Sequence, residues 1–176
     1  MNNLIADTKL AIELEKKGYD FYMQTAGKTM NPLVISTMSS LADREMEHLA
    51  KIKEFYLNLT NEKKLASDWL KGVEVAPTKK ELLTVIINKL KANLDREFET
   101  EQDINEAYLV AEGLETDSYN LYKKVSAESQ DETAKKFFAA LAKEEKEHYD
   151  ILAESLQYLS RPGDWFKEQE RWIVEG

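Results

Sequence analysis

Apolar residues recur along this chain at alternating steps of three and four, the spacing that gathers one face of an α-helix, and they do so over four long stretches. The first covers residues 4–28, where Gly27 and then Asn31-Pro32 interrupt it. The second runs to about residue 59, with Asn31 placed as its N-cap and Pro32 at the first helical position, where a missing amide hydrogen costs nothing. Thr100 followed by Asp103 resembles a third helix start, its acidic residue set to meet the free amide hydrogens of the first turn, and that helix extends to about residue 128. A fourth spans about 131–160 and is stopped by Arg161-Pro162-Gly163. The boundary between the first two helices is short, which makes them antiparallel neighbours.

Between Thr60 and Thr78 the periodicity weakens, with Asn61, Ser67-Asp68, Gly72 and Pro77 scattered among isolated apolar residues, and residues 79 to about 91 read as an extra short helix. The pattern therefore predicts an all-α fold. One domain, residues 1–160, forms a four-helix bundle with a long crossover at about 60–100 between the second and third main helices, and residues 161–176 form a C-terminal tail. Six Gly, three Pro and 32% charged residues agree with a helical chain of single-domain size.

Composition narrows the chemistry. A formal net charge of -9 argues against a phosphate-binding surface, so nucleic acid is not an expected partner. The absence of cysteine removes disulfides, thiol nucleophiles, iron–sulfur clusters and thiolate zinc sites, so any metal must be held by oxygen and nitrogen. Met1-Asn2-Asn3-Leu4 lacks a basic leader, and no apolar run approaches the ~18 residues needed to span a bilayer; the expected location is cytoplasmic, with no membrane partner.

Compared with itself at a shift of 100 residues, the chain repeats without gaps. Ala11, Leu14, Glu15, Tyr19 and Tyr22 match Ala111, Leu114, Glu115, Tyr119 and Tyr122, while Leu41, Ala42, Glu45, Glu47 and His48 match Leu141, Ala142, Glu145, Glu147 and His148. The inward seam of the second helix reads Leu41, Glu45, His48, Ile52, Phe55, Leu59, and that of the fourth reads Leu141, Glu145, His148, Leu152, Ser155, Leu159. Each places a carboxylate and an imidazole one turn apart where apolar groups belong. The seams of the other two helices, Thr8, Ala11, Glu15, Gly18, Tyr22 and Tyr108, Ala111, Glu115, Ser118, Tyr122, each hold one Glu.

An ionised carboxylate inside a bundle costs several kcal/mol, by rough estimate, unless it is paired or coordinates a metal. Lys and Arg are absent from these seams near the Glu positions. Two divalent cations would cancel four negative charges, with His48 and His148 as neutral nitrogen ligands, an oxygen-rich donor set suited to iron or manganese. A single Glu-x-x-His is weak evidence. Two copies 100 residues apart, each preceded by a Glu at the same distance of 30, are specific.

One Glu on each of two helices and Glu-x-x-His on two others is the ligand pattern of the ferritin-like di-iron and di-manganese proteins. Within them the chain resembles the rubrerythrins, through Glu15-Lys16-Lys17-Gly18-Tyr19-Asp20-Phe21-Tyr22, Glu45-Met46-Glu47-His48, Glu115-Thr116-Asp117-Ser118-Tyr119-Asn120-Leu121-Tyr122 and Glu145-Lys146-Glu147-His148. The resemblance covers most of residues 1–160 and implies a ferritin-like bundle holding two iron ions, or manganese or a mixed pair, on Glu15, Glu45, His48, Glu115, Glu145 and His148. It further implies an oxidoreductase that reduces hydrogen peroxide, with Glu45 and Glu145 in bridging or chelating positions. Two departures stand out. No Cys-rich rubredoxin domain is present, so electrons would come from an external donor such as a rubredoxin-type protein. Ser118 stands where many rubrerythrins carry a seventh carboxylate; Glu112, one turn before Glu115, is the further candidate if the register shifts.

Tyr22 and Tyr122, two turns from Glu15 and Glu115 on the same stripe, are candidates to hydrogen-bond ligands or carry an electron, with core packing as the plainer reading. Tyr19 and Tyr119 read as packing or interface residues, and Glu47 and Glu147 as solvated. Trp69, Trp165, Phe166 and Trp172 suit a crossover and tail that cover the bundle or meet a second subunit, and a homodimer is expected. Two other functions use the same residues: a ferroxidase or iron-handling protein acting with dioxygen, and a non-catalytic metal-binding bundle or peroxide sensor.

Overall fold

The computed structural model describes residues 2–60 and 101–161. Within them lie four helices, α1 (Asn2–Lys28), α2 (Pro32–Thr60), α3 (Glu101–Glu128) and α4 (Glu132–Ser160), and no strand among the described residues. The boundaries follow from local chemistry. Asn31 caps α2 as expected, its Oδ1 accepting from the amides of Leu33 at 3.0 Å and Val34 at 3.3 Å. Asp131, extended at φ -91° and ψ 119°, caps α4 by accepting from the Ala134 amide at 2.8 Å. The expected crossover with its short helix, the Thr100 helix start and the aromatic tail fall outside the described residues.

The helices pack most broadly within the pairs α1/α2 and α3/α4, and the two pairs meet through α1 on α3 and α2 on α4. All four expected seams face inward: every member is buried except Leu59 and Leu159 in the last turns, which are half-buried. An all-α four-helix bundle of ferritin-like type is the result. Its apolar core comes in two parts. One gathers Tyr22, Leu33, Met38, Leu41, Tyr108 and Leu152 with their neighbours, and the other gathers Ile52, Phe55, Tyr122, Phe137, Phe138 and Leu141.

The second cluster is an aromatic knot, with Phe55 stacked on Phe137 at 4.8 Å and edge-on to Phe138 at 5.6 Å. The repeat does not copy it. Phe55 and Phe137 correspond to Ser155 and Thr37, whose hydroxyls approach to 3.4 Å in the other cluster, beside the fully buried Tyr108. Aromatic area is the larger stabiliser, so truncating Phe137 to Ala is expected to cost about 3–5 kcal/mol through the cavity it leaves. Removing the α4 cap with Asp131→Ala is expected to cost only about 1 kcal/mol, and chemical denaturation of the two variants measures the difference.

Candidate metal centre

Glu15, Glu45, His48, Glu115, Glu145 and His148 come together at one level of the bundle, none more than 3% exposed. Each helix contributes through the seam position the sequence assigned to it. His48 and His148 stack with ring centroids 5.4 Å apart and planes 15° from parallel. Nδ1 of His48 lies 3.3 Å from Oε2 of Glu15 and 3.0 Å from Oε1 of Glu145. Nδ1 of His148 lies 3.5 Å from Oε1 of Glu45 and 3.4 Å from Oε2 of Glu115.

Two sets of donor atoms emerge with mutual spacings short enough to enclose one ion each: Glu15, Glu45 and His48, and Glu45, Glu115, Glu145 and His148. Glu45 belongs to both. Glu145 also reaches both histidines, its Oε1 toward His48 and its Oε2 at 3.7 Å from Nδ1 of His148. Within this layer Oε2 of Glu15, Oε1 of Glu45, Nδ1 of His48, Oε2 of Glu115, Oε1 of Glu145 and Nδ1 of His148 are buried without a hydrogen-bond partner. Six orphaned donor atoms, one per residue, fit a pair of divalent cations, because buried polar atoms otherwise find partners.

The two tyrosines bind the layer crosswise. The hydroxyl of Tyr22 donates to Oε1 of Glu115, and that of Tyr122 donates to Oε1 of Glu15. Each leaves only the Oε2 atom of its carboxylate unengaged. Burial, then the negative charges of Glu115 on Tyr22 and of Glu15 on Tyr122, push both phenols well above their ordinary value, so they remain hydroxyl donors. Gly18 provides clearance on α1, since a Cβ there would stand 3.1 Å from Oε2 of Glu45.

A neighbouring pair was not visible as chemistry in the sequence. Arg44 and Glu144, only 6% and 4% exposed, form a buried ion pair, and Arg44 also donates to the exposed Glu47. Basic side chains thus do approach the centre, although none lies on the seams. Arg44 does not neutralise the cluster, because Glu144 is a fifth buried carboxylate and takes its charge. Oε2 of Glu144 also accepts from Nε2 of His48 at 2.9 Å. Burial would raise the Glu144 carboxyl, but His48, Lys51 and Arg44 hold it down at about 2, so it is an acceptor only and Nε2 carries the proton. Nδ1 then points its lone pair into the cluster whenever it is unprotonated. The one signal in the sequence is that positions 44 and 144, equivalent in the repeat, carry opposite charges.

Glu112 is half-buried and belongs to neither donor set. Glu47 is exposed as expected, whereas Glu147 is half-buried. Tyr19 and Tyr119 pack against the two core clusters. A cleft of about 160 Å³ between α3 and α4 is lined by Glu115, Thr116, Tyr119, Glu145, Lys146 and Tyr149, two of which belong to the cluster. A larger cleft of about 620 Å³ at the bundle end, beside Asp7, Leu59 and Asp131, touches none of them. No described helix is long and apolar enough to cross a membrane.

The family model described as Rubrerythrin matches residues 9–156 of the chain. Neither the curated proteins nor the solved structures include a match.

Protons stand in for cations when none is bound. Burial, then the charges of Glu15 and Glu145, hold Glu45 well above the ordinary carboxylate range, and burial with Glu115 and Glu15 raises Glu145 from 4.5 to about 8. Burial opposes charging of the histidines, but Glu15 and Glu115 outweigh it and hold His48 and His148 well above 6.5. Glu15 and Glu115 move the other way, burial being overcome by the charges of His48 and His148. Lowered carboxyls are already ionised above 4.5 and add no slope there. The raised groups bind more protons folded than unfolded, and the stability they contribute is lost as pH rises through their folded values. The melting temperature of metal-free protein is therefore expected to fall between about pH 5 and pH 8, less steeply in Glu145→Gln. A saturating divalent cation should reverse the slope, because ligands must shed protons to bind it; thermal denaturation across that pH range reads both.

Proposed function

The chain belongs to the rubrerythrin family, and on that footing we propose that it is a non-haem di-iron oxidoreductase that reduces hydrogen peroxide with electrons from an external donor. The observation that carries this reading is the set of six inward-facing ligand atoms, none with a hydrogen-bond partner, on Glu15, Glu45, His48, Glu115, Glu145 and His148. Bound there as a ferrous pair, iron supplies two electrons, which with two protons convert one hydrogen peroxide to two waters.

The protein's own part is geometry, charge and dryness. Glu45 and Glu145 reach both halves of the cluster and would help to hold both ions. Glu15 and Glu115 would each offer a metal the one carboxylate oxygen left free, since Tyr122 and Tyr22 engage the other. The tyrosines thus act as positioning residues, fixing the carboxylates while their own protons stay in place. Apolar clusters on either side keep the layer from bulk water, which strengthens every charge interaction within it. These 176 residues contain no cysteine to hold an iron–sulfur centre, and the reading therefore takes its electrons from an external donor such as a rubredoxin-type protein.

Anaerobic loading with ferrous ion followed by peroxide tests the proposal. Wild-type protein is expected to oxidise its iron far faster than the Glu45→Ala/Glu145→Ala variant, which should react no faster than ferrous ion in buffer, and to turn over repeatedly when a rubredoxin-type donor is supplied. Equal rates for the two proteins would remove the claim.

A further inference from the structure

The repeat places the same six ligand types about an approximate twofold relation, yet the surroundings of the two histidines differ. His48 donates its Nε2–H in a hydrogen bond to Oε2 of Glu144, which Arg44 holds in place and whose Oε1 lies 3.9 Å from Nζ of Lys51. Among the described residues His148 has no such support. The position equivalent to Glu144 in the first repeat is Arg44, a cation that cannot accept a hydrogen bond. Among the described residues no carboxylate reaches Nε2 of His148; its ion-pair contacts are all through Nδ1.

A second asymmetry is independent of the first. The cleft of about 160 Å³ reaches the cluster only at Glu115 and Glu145, both members of the donor set that contains His148. Its rim residues Thr116 and Lys146 are exposed. On the other side, Arg44, Glu144 and Lys51 occupy the space beyond the His48 ring. The extra carboxylate in the His148 set does not rank the halves, because that residue, Glu145, also approaches His48 at 3.0 Å.

Resting on the reading that the cluster holds two ions, we infer that the two positions are unequal: the Glu144-supported His48 position is held, and the His148 position is the exchangeable one, loaded and emptied through the cleft beside Thr116, Tyr119 and Tyr149. An outer carboxylate fixes the tautomer and orientation of a ligating imidazole and raises its basicity, and removing such a group lowers metal affinity about 10–100-fold. Glu144 is a positioning residue that acts through His48, and the cleft residues set access to the opposite half.

The test is release of ferrous ion from the loaded full-length protein to a strong chelator under anaerobic conditions, read as colour against time. Wild-type protein should release its two ions in two phases of equal size, with rates differing about 10-fold or more. Glu144→Gln should accelerate the slow phase alone, and Thr116→Trp, at an exposed site, should slow the fast phase alone. Because Glu144→Gln strips Arg44 of its buried partner, the Arg44→Met/Glu144→Gln protein is measured beside it and should show the same acceleration. A single phase for both ions in the wild type, or a slow phase untouched in both Glu144 variants, overturns the inequality; a fast phase unchanged by Thr116→Trp overturns the route. Binding of fewer than two ions would instead sink the di-iron reading on which the inference rests.

Discussion

Four carboxylates share one dry layer of this bundle, and everything around them follows from that confinement. Two like charges 4 Å apart repel by about 4 kcal/mol at an effective dielectric constant of 20, and a whole domain is stable by only about 5–15 kcal/mol. Glu15, Glu45, Glu115 and Glu145, none more than 3% exposed, cannot all ionise there on their own. Cations or protons must share the layer, and the apolar clusters on either side supply the stability that lets the helices tolerate it.

Legibility in the sequence tracks periodicity. The seams are runs of single positions at helical spacing, so α1 to α4 and the six clustered residues could each be placed from the apolar pattern and a polar interruption within it, and Asn31 before Pro32 marked the cap of α2, whereas the cap at Asp131 emerged only in the structure. The interruptions were informative because a Glu on an apolar stripe contradicts its neighbours. Glu112, by contrast, sits off the stripe and stays out of the cluster.

What escaped the sequence lies one residue off those stripes or depends on contacts between helices. Arg44 and Glu144 sit one position before Glu45 and Glu145, off the inward seams, where the apolar pattern singles out neither; only the close approach of α2 and α4 buries them against each other. The tyrosines were legible as stripe residues but not as crosswise donors. Tyr22 is two turns from Glu15 on its own helix, yet its hydroxyl serves Glu115 on α3, because the packing of α1 on α3 brings those two together.

The pairing of Arg44 with Glu144 also bears on the architecture of a duplicated chain. Two identical half-molecules assembling about a true symmetry axis would set arginine against arginine, or glutamate against glutamate, at this buried spot, and either meeting would be repulsive. Opposite charges can occupy the equivalent sites only where the halves are distinct in sequence, and a single polypeptide guarantees that distinction every time it folds. Covalent continuity therefore gives this bundle a freedom that a symmetric dimer of its halves would lack: it can treat its two imidazoles differently.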